Sequence, residues 1–163
     1  MKLSLSLAIL CALLVSAFAP SLRAGNLAET LEESELGSLI GTWVDEDSNG
    51  EGITITYTWQ VKDHALGMSV RTPNRTSVAL IGIDPKSGEV IHTTLDSKGG
   101  AGRGTWGEEE GVATLTLTVI DAEKKETKLK ITHKIVDNKR LEIGMKNVEN
   151  DQGGEVALVR KAE

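Results

Sequence analysis

Cysteine is almost missing from this chain: one residue, Cys11, among 163. A lone thiol forms neither an internal disulfide nor a zinc–thiolate site. Aromatics are as scarce, with three Trp, one Tyr and one Phe, too few for a broad stacking platform for sugars or single-stranded nucleic acid. There is no basic surplus, since 18 Lys and Arg face 24 Asp and Glu, a net charge of −6, and an anionic partner such as nucleic acid is disfavoured. Past the N-terminus no apolar run is long enough for a membrane-spanning helix. No linker, internal repeat or low-complexity tract interrupts the chain, and its length suits one domain. What the sequence does have is Gly, 17 residues, and many Thr, the composition of a β-rich protein.

The N-terminus reads as an address. Lys2 precedes an almost wholly small and apolar run from Leu3 to Phe18, the pattern of a secretory signal peptide. Ala17-Phe18-Ala19 has suitable small residues for cleavage, but Pro20 follows, with a fixed φ and no N–H. The preferred boundary is therefore after Ala24, giving a signal peptide at 1–24 and one domain at 25–163. A lipobox at Cys11 needs a small residue before it, and Leu10 stands there. The expected product is exported, periplasmic or secreted, with no membrane span once cleaved. It keeps 16 basic residues against 24 acidic, a net charge of −8, and loses Cys11. A chain of this size buries about 68–70% of its unfolded surface and needs no disulfide.

Residues 27–38 carry Leu27, Leu31 and Leu36 among Glu29, Glu32, Glu33 and Glu35 at near-helical spacing. This predicts one short amphipathic helix ending near Gly37, with acids toward its N-terminal half, where the dipole favours them. After Leu39 the period becomes two. Ile53, Ile55, Tyr57, Trp59 and Val61 alternate with Thr and Gln, Leu115, Leu117 and Val119 with Thr, and Leu129, Ile131, His133 and Ile135 with Lys and Thr. Leu141, Ile143 and Met145 continue the pattern. One apolar and one wet face mark antiparallel strands over a core. Shorter runs fit at 40–45, 65–71, 77–84, 89–95, 102–107 and 155–160. Turn-forming clusters separate them, among them Asn49-Gly50, Asp84 to Gly88, Ser97 to Gly100, Glu109-Glu110-Gly111, Asp137-Asn138 and Gln152-Gly153-Gly154. About ten strands at this density predict an all-β, up-and-down antiparallel barrel with one short N-terminal helix.

Leu39-Ile40-Gly41-Thr42-Trp43, just after that helix, resembles the opening of lipocalin-like, calycin-type proteins. There a Gly-x-Trp starts the first barrel strand and the Trp plugs the closed end. Ile83 to Val90 and Asp96 to Trp106, the latter ending in Gly104-Thr105-Trp106, are similar to strand–turn–strand signatures of an exported bacterial lipocalin-like family of unknown function. The resemblance spans about 27–160 and rests on turn and packing residues, which speak for fold and hardly for function. It implies that a late Arg packs across the Gly-x-Trp ring. Arg160 stands in the right place to do this to Trp43, the alternative being a solvated terminal Arg.

The candidates for chemistry are few. Asp45 to Glu51 begins like a calcium loop, with Gly50 sixth, but Thr56 occupies the twelfth position and strand alternation starts at Ile53, so a plain hairpin is expected. Gly99 to Gly104 lacks the Lys-Ser/Thr ending of a phosphate loop. His64 falls in a turn, and the inward face around His92 is ambiguous. His133 shares an apolar strand face with Leu129, Ile131 and Ile135. It is either a satisfied core residue, a ligand contact, or a haem ligand as in the nitrobindin-like barrels of similar shape. No second His is spaced to make a metal site with it, and no nucleophile with a local base appears. No enzyme activity, catalytic residue, metal or cofactor is expected, haem at His133 being the one cofactor alternative. Tyr57, Trp59, Met68 and His133 are expected to line the interior, and Trp43 with Arg160 to close one end. Two functions fit: binding a small apolar or amphipathic molecule in the barrel, or a non-enzymatic interaction module with a filled core and an unspecified protein partner.

Overall fold

The computed structural model describes residues 25–48 and 51–161. The expected signal peptide and the Asn49-Gly50 turn lie outside the described residues. After a short helix, α1 (Leu27–Glu33), and a single 3-10 turn at Gly37–Leu39 come ten strands. These are β1 (Gly41–Asp45), β2 (Thr54–Val61), β3 (Ala65–Thr72), β4 (Arg75–Ile83), β5 (Val90–Asp96), β6 (Ala101–Glu109), β7 (Val112–Ile120), β8 (Glu126–Val136), β9 (Arg140–Asn147) and β10 (Gly153–Arg160). Each pairs antiparallel with the next, and β1 also pairs with β10, so the sheet closes. Closure leaves no strand edge unpaired. The all-β, ten-stranded up-and-down barrel is compatible with a lipocalin-like fold.

Two expectations about local structure need correcting. The helix stops at Glu33, four residues before Gly37. Glu35 adopts φ 59°, its N–H donates to Glu32 O (3.1 Å), and the Leu36 N–H donates to Leu31 O (2.7 Å). This is a Schellman stop with Glu in the left-handed position normally given to Gly. It turns Leu36 back into the core, where it is 4% exposed. Because a side chain with a Cβ is strained there, Glu35→Gly is expected to raise stability by about 0.5–1 kcal/mol, read as a higher urea midpoint with unchanged slope. No gain would mean that the Glu35 side chain makes up for the strain.

The second correction concerns Gly153 and Gly154, which belong to β10, opposite Lys146 and Met145. The β9–β10 turn is built earlier. Asn147 Oδ1 accepts the Glu149 N–H (2.8 Å), the Asp151 N–H donates to Asn147 O (3.0 Å), and Asp151 takes φ 61°. Asn and Asp supply the turn, so the glycines are free to enter the ladder.

One barrel end is plugged. Leu27, Leu36, Leu39 and Trp43 form a buried cluster with Leu66, Leu141 and Leu158. Trp43 is fully buried, and its indole N–H donates to Leu39 O at 2.8 Å. The Arg160 guanidinium lies 4.4 Å from the Trp43 ring centroid. Its Nη1 donates to Ile40 O (2.7 Å) and its Nη2 to Ser38 O. Gly41 sits at φ 130°, and a Cβ there would meet Arg160 Nη1. The Gly of the Gly-x-Trp thus makes room for the cation over the ring. The opposite end carries the β3–β4, β5–β6, β7–β8 and β9–β10 turns and has no such cover among the described residues.

Candidate functional site

The open half of the barrel holds a cavity of about 430 Å³. Alternation on β2, β3, β7, β8, β9 and β10 turns Ile55, Val70, Leu117, Leu129, Ile143 and Val156 into it, because each of these strands keeps its wet face outside. At the rim stand Arg75, Ser77, Asp96 and Glu155. Asp96 is the one rim carboxylate with a built environment. It forms an ion pair with Arg75 Nη2, and its side chain is 6% exposed. It also accepts the Lys98 and Gly100 N–H groups, at 2.7 and 3.2 Å. The hydrogen bond from Arg75 holds its carboxyl below the usual carboxylate value.

At the floor the apolar wall gives way to a polar group of four rings. Tyr57 on β2 and His133 on β8 meet through Tyr57 Oη and His133 Nε2 at 2.9 Å. Trp106 on β6 stands edge-on to His133, with centroids 4.8 Å apart, and tilted against His92 on β5 at 6.2 Å. His92 and His133 are 1% and 4% exposed. His92 Nδ1, His133 Nδ1 and Trp106 Nε1 are buried without a hydrogen-bond partner. Both histidines line the cavity. Trp106 itself lines a separate, smaller space of about 200 Å³ under α1.

Burial sets the charge of this floor. Desolvation lowers His92 to about 4, and desolvation with the neighbouring His92 lowers His133 to about 3. Burial also pushes the Tyr57 phenol well above its ordinary value. At neutral pH all three are uncharged. Each neutral imidazole offers one donor and one acceptor, so whichever way the Tyr57–His133 proton points, one polar site at His133 Nδ1 stays unmet. Tyr57→Phe deletes the phenol and leaves the buried His133 Nε2 unpaired as well. It is expected to cost about 1–3 kcal/mol in urea unfolding; a neutral result would mean that the bond adds nothing to the fold.

Of the residues expected inside, Tyr57, Met68 and His133 line the cavity. Trp59 does not. It lies two residues beyond Tyr57 toward the plugged end, opposite Leu66, and packs half-buried against the closed-end core. His92, Trp106, Arg75 and Asp96 were not anticipated as part of the site. The calcium-loop residue Asp45 closes its own loop, its Oδ1 accepting the Ile53 N–H at 3.2 Å. Among the described residues no group of three or more His, Cys, Asp and Glu is placed to hold a metal ion. No helix of the described residues is long and apolar enough to cross a membrane. No known family model matches the chain, and no curated protein is recognisably similar to it in sequence.

Proposed function

We propose that this chain is an exported lipocalin-like barrel, without enzyme activity, that holds a small apolar or amphipathic molecule in its interior. The observation that carries the reading is the cavity of about 430 Å³, an apolar chamber within the range of small-molecule sites, with a few convergent polar groups at one end. A filled core would leave no such space. The signal-like segment at 1–24 supports export.

Haem is no part of this reading. His133 Nε2 already bonds Tyr57, and its ring is flanked by Trp106. Arg75, the basic side chain lining the cavity, is engaged by Asp96, which leaves no free Arg or Lys among the described lining residues for propionates.

One observation favours the alternative of an interaction module. Val78, Leu95, Ala101 and Ile120 pair in one row across the outside of β4 to β7, and Val78 and Leu95 are 53% and 58% exposed. Native mass spectrometry of protein purified from its own compartment separates the two. A reproducible extra mass that disappears on denaturation is the expected result. A bare protein mass from gently handled material, together with co-purifying protein, sinks the binding reading in favour of the outer surface.

A further inference from the structure

We infer that the open end of the barrel docks on an anionic lipid bilayer along the outer face of β4 to β7. Val78, Leu95, Ala101 and Ile120 enter the interface, and the lysines and arginines around them meet the lipid phosphates. This surface is on the outside of the barrel and does not depend on what the interior holds.

The four apolar residues pair in one row, Val78 with Leu95, Leu95 with Ala101 and Ala101 with Ile120. The row is level with the mouth, because Ala101 opens β6 and Ile120 ends β7. Leu80 lies on the same face of β4, one step further in. Val78, Leu80, Leu95 and Ile120 are about half exposed. A barrel needs only its inner face apolar, and single apolar residues outside are ordinary. A contiguous row of them marks a surface that something covers.

The charges around the row say what covers it. Arg71 on β3, Lys98 in the β5–β6 turn, and Lys124 and Lys125 in the β7–β8 turn are exposed. So are Arg103 and Lys128, which lie in the next row, on either side of Thr118. None of the six has an ion-pair partner among the described residues. Against them stand Asp121, Glu123 and Glu126, and Asp121 Oδ1 already accepts the Glu123 and Lys125 N–H groups at 2.9 Å each. Asp96 is neutralised by Arg75.

The far side of the mouth is acidic. Asp47 and Glu51 lie between β1 and β2, and Glu149 lies in the β9–β10 turn, all exposed. In the ring of ten strands β10 and β1 stand across from β5 and β6, so the basic and acidic loops are on opposite sides. The chain as a whole is negative, at −6. With a Debye length of about 8 Å at physiological ionic strength, however, a surface touching β4 to β7 meets chiefly the near cations. Apolar side chains flanked by cations fit a bilayer interface, where burial and attraction to anionic headgroups act together. A second copy of the chain fits less well, since two such faces bring like charges together. Docked this way, the mouth of the cavity opens at the bilayer, and an apolar molecule has a path between the two that avoids water. That last step alone rests on the cavity reading above.

The test is co-flotation of protein purified from its own compartment with two kinds of vesicle, phosphatidylcholine alone and phosphatidylcholine mixed with phosphatidylglycerol. The expected result is binding to the anionic vesicles, weakened by salt, and little binding to the neutral ones. Lys98→Gln and Lys124→Gln should each weaken it about fivefold. Leu95→Ser should weaken it without changing its salt dependence, and Glu149→Gln, across the mouth, should leave it as it is. All four side chains are exposed, so these variants keep the fold, which their urea midpoints check. Equal binding to both vesicles, binding untouched by the lysine and leucine variants, or no binding overturns the inference. A co-purifying protein lost in Leu95→Ser, without vesicle binding, assigns the row to a protein partner instead, and a dimer lost in that variant assigns it to a second copy. A bare mass in native mass spectrometry with vesicle binding intact would sink the cavity reading and leave the docking in place.

Discussion

Acidification from neutrality toward the pKa of His92, about 4, is expected to strip several kcal/mol from the stability of this barrel. In the unfolded chain both buried histidines regain the ordinary value of 6.5. In the folded chain they titrate only at about 4 and about 3. Between these limits the unfolded state binds more protons than the native state, so stability falls as pH falls. Their contribution is fully present above 6.5, declines below it, and levels off only beneath the folded values. Each unit of pH in that window costs about 1.4 kcal/mol per histidine, a large share of a total stability of about 5–15 kcal/mol. Asp96, the carboxylate held low by Arg75, loses its contribution only below the ordinary carboxylate range. Urea midpoints measured down the pH scale check this. The slope, rather than the level, is the diagnostic: removing His133 with His92 by His133→Leu and His92→Phe should flatten it whatever the baseline stability becomes. A midpoint unchanged between neutrality and pH about 4 would mean that water reaches these imidazoles and that the floor is not the dry, uncharged surface described above.

The difference between what the sequence discloses and what it hides traces to those same residues. Strands β2, β7, β8 and β9 are legible because most of their apolar residues face inward and most of their Thr and Lys outward. That alternation fixes the barrel, and it places Tyr57 and His133 inside. Strand β5 breaks the rule. Ile91 and Leu95 face outward, 42% and 58% exposed, while His92 is buried and Thr94 and Asp96 line the cavity. A barrel with a polar floor and a polar rim must put polar residues on the inner face of some strand, and there the periodicity loses its direction. Trp106 is visible in the sequence as a packing residue, but its contact with His133 depends on the β6–β7–β8 register, in which Trp106 is opposite Leu115 and Leu115 opposite Ile131. Hydrophobic pattern constrains such a register only through turn geometry and face. Trp59 is misplaced for the converse reason: its face is right, but pattern gives no depth along the barrel, and it falls beneath the floor that Tyr57 makes. The helix end was hidden because Glu35 takes a conformation that composition assigns to Gly.

Trp43→Ala is expected to be the most damaging single change, costing about 3–5 kcal/mol. The indole is fully buried among Leu27, Leu36, Leu39 and Leu158, on a closed end whose core is made by α1, the 3-10 turn and the first strand together. Truncation removes its volume where the barrel wall, hydrogen-bonded all round, cannot collapse to fill the space. It also strands the Leu39 carbonyl and takes the π face from under Arg160, a contact worth about 0.5–2 kcal/mol. Arg160 keeps its bonds to the Ile40 and Ser38 carbonyls, so the strand pairing of β1 with β10 is expected to survive where the core does not. Trp43→Phe separates these contributions. It retains most of the buried ring and loses the N–H to Leu39 O, and should cost less, on the order of 1–3 kcal/mol. Thermal and urea unfolding of both variants give the two numbers. A Trp43→Ala loss below about 1 kcal/mol would mean that α1 re-docks into the vacated space and that the plug is held by its leucines rather than by the ring. Tyr57 packs in the same buried cluster as Trp43 and also lines the cavity, so loosening the plug should also loosen the Tyr57–His133 bond.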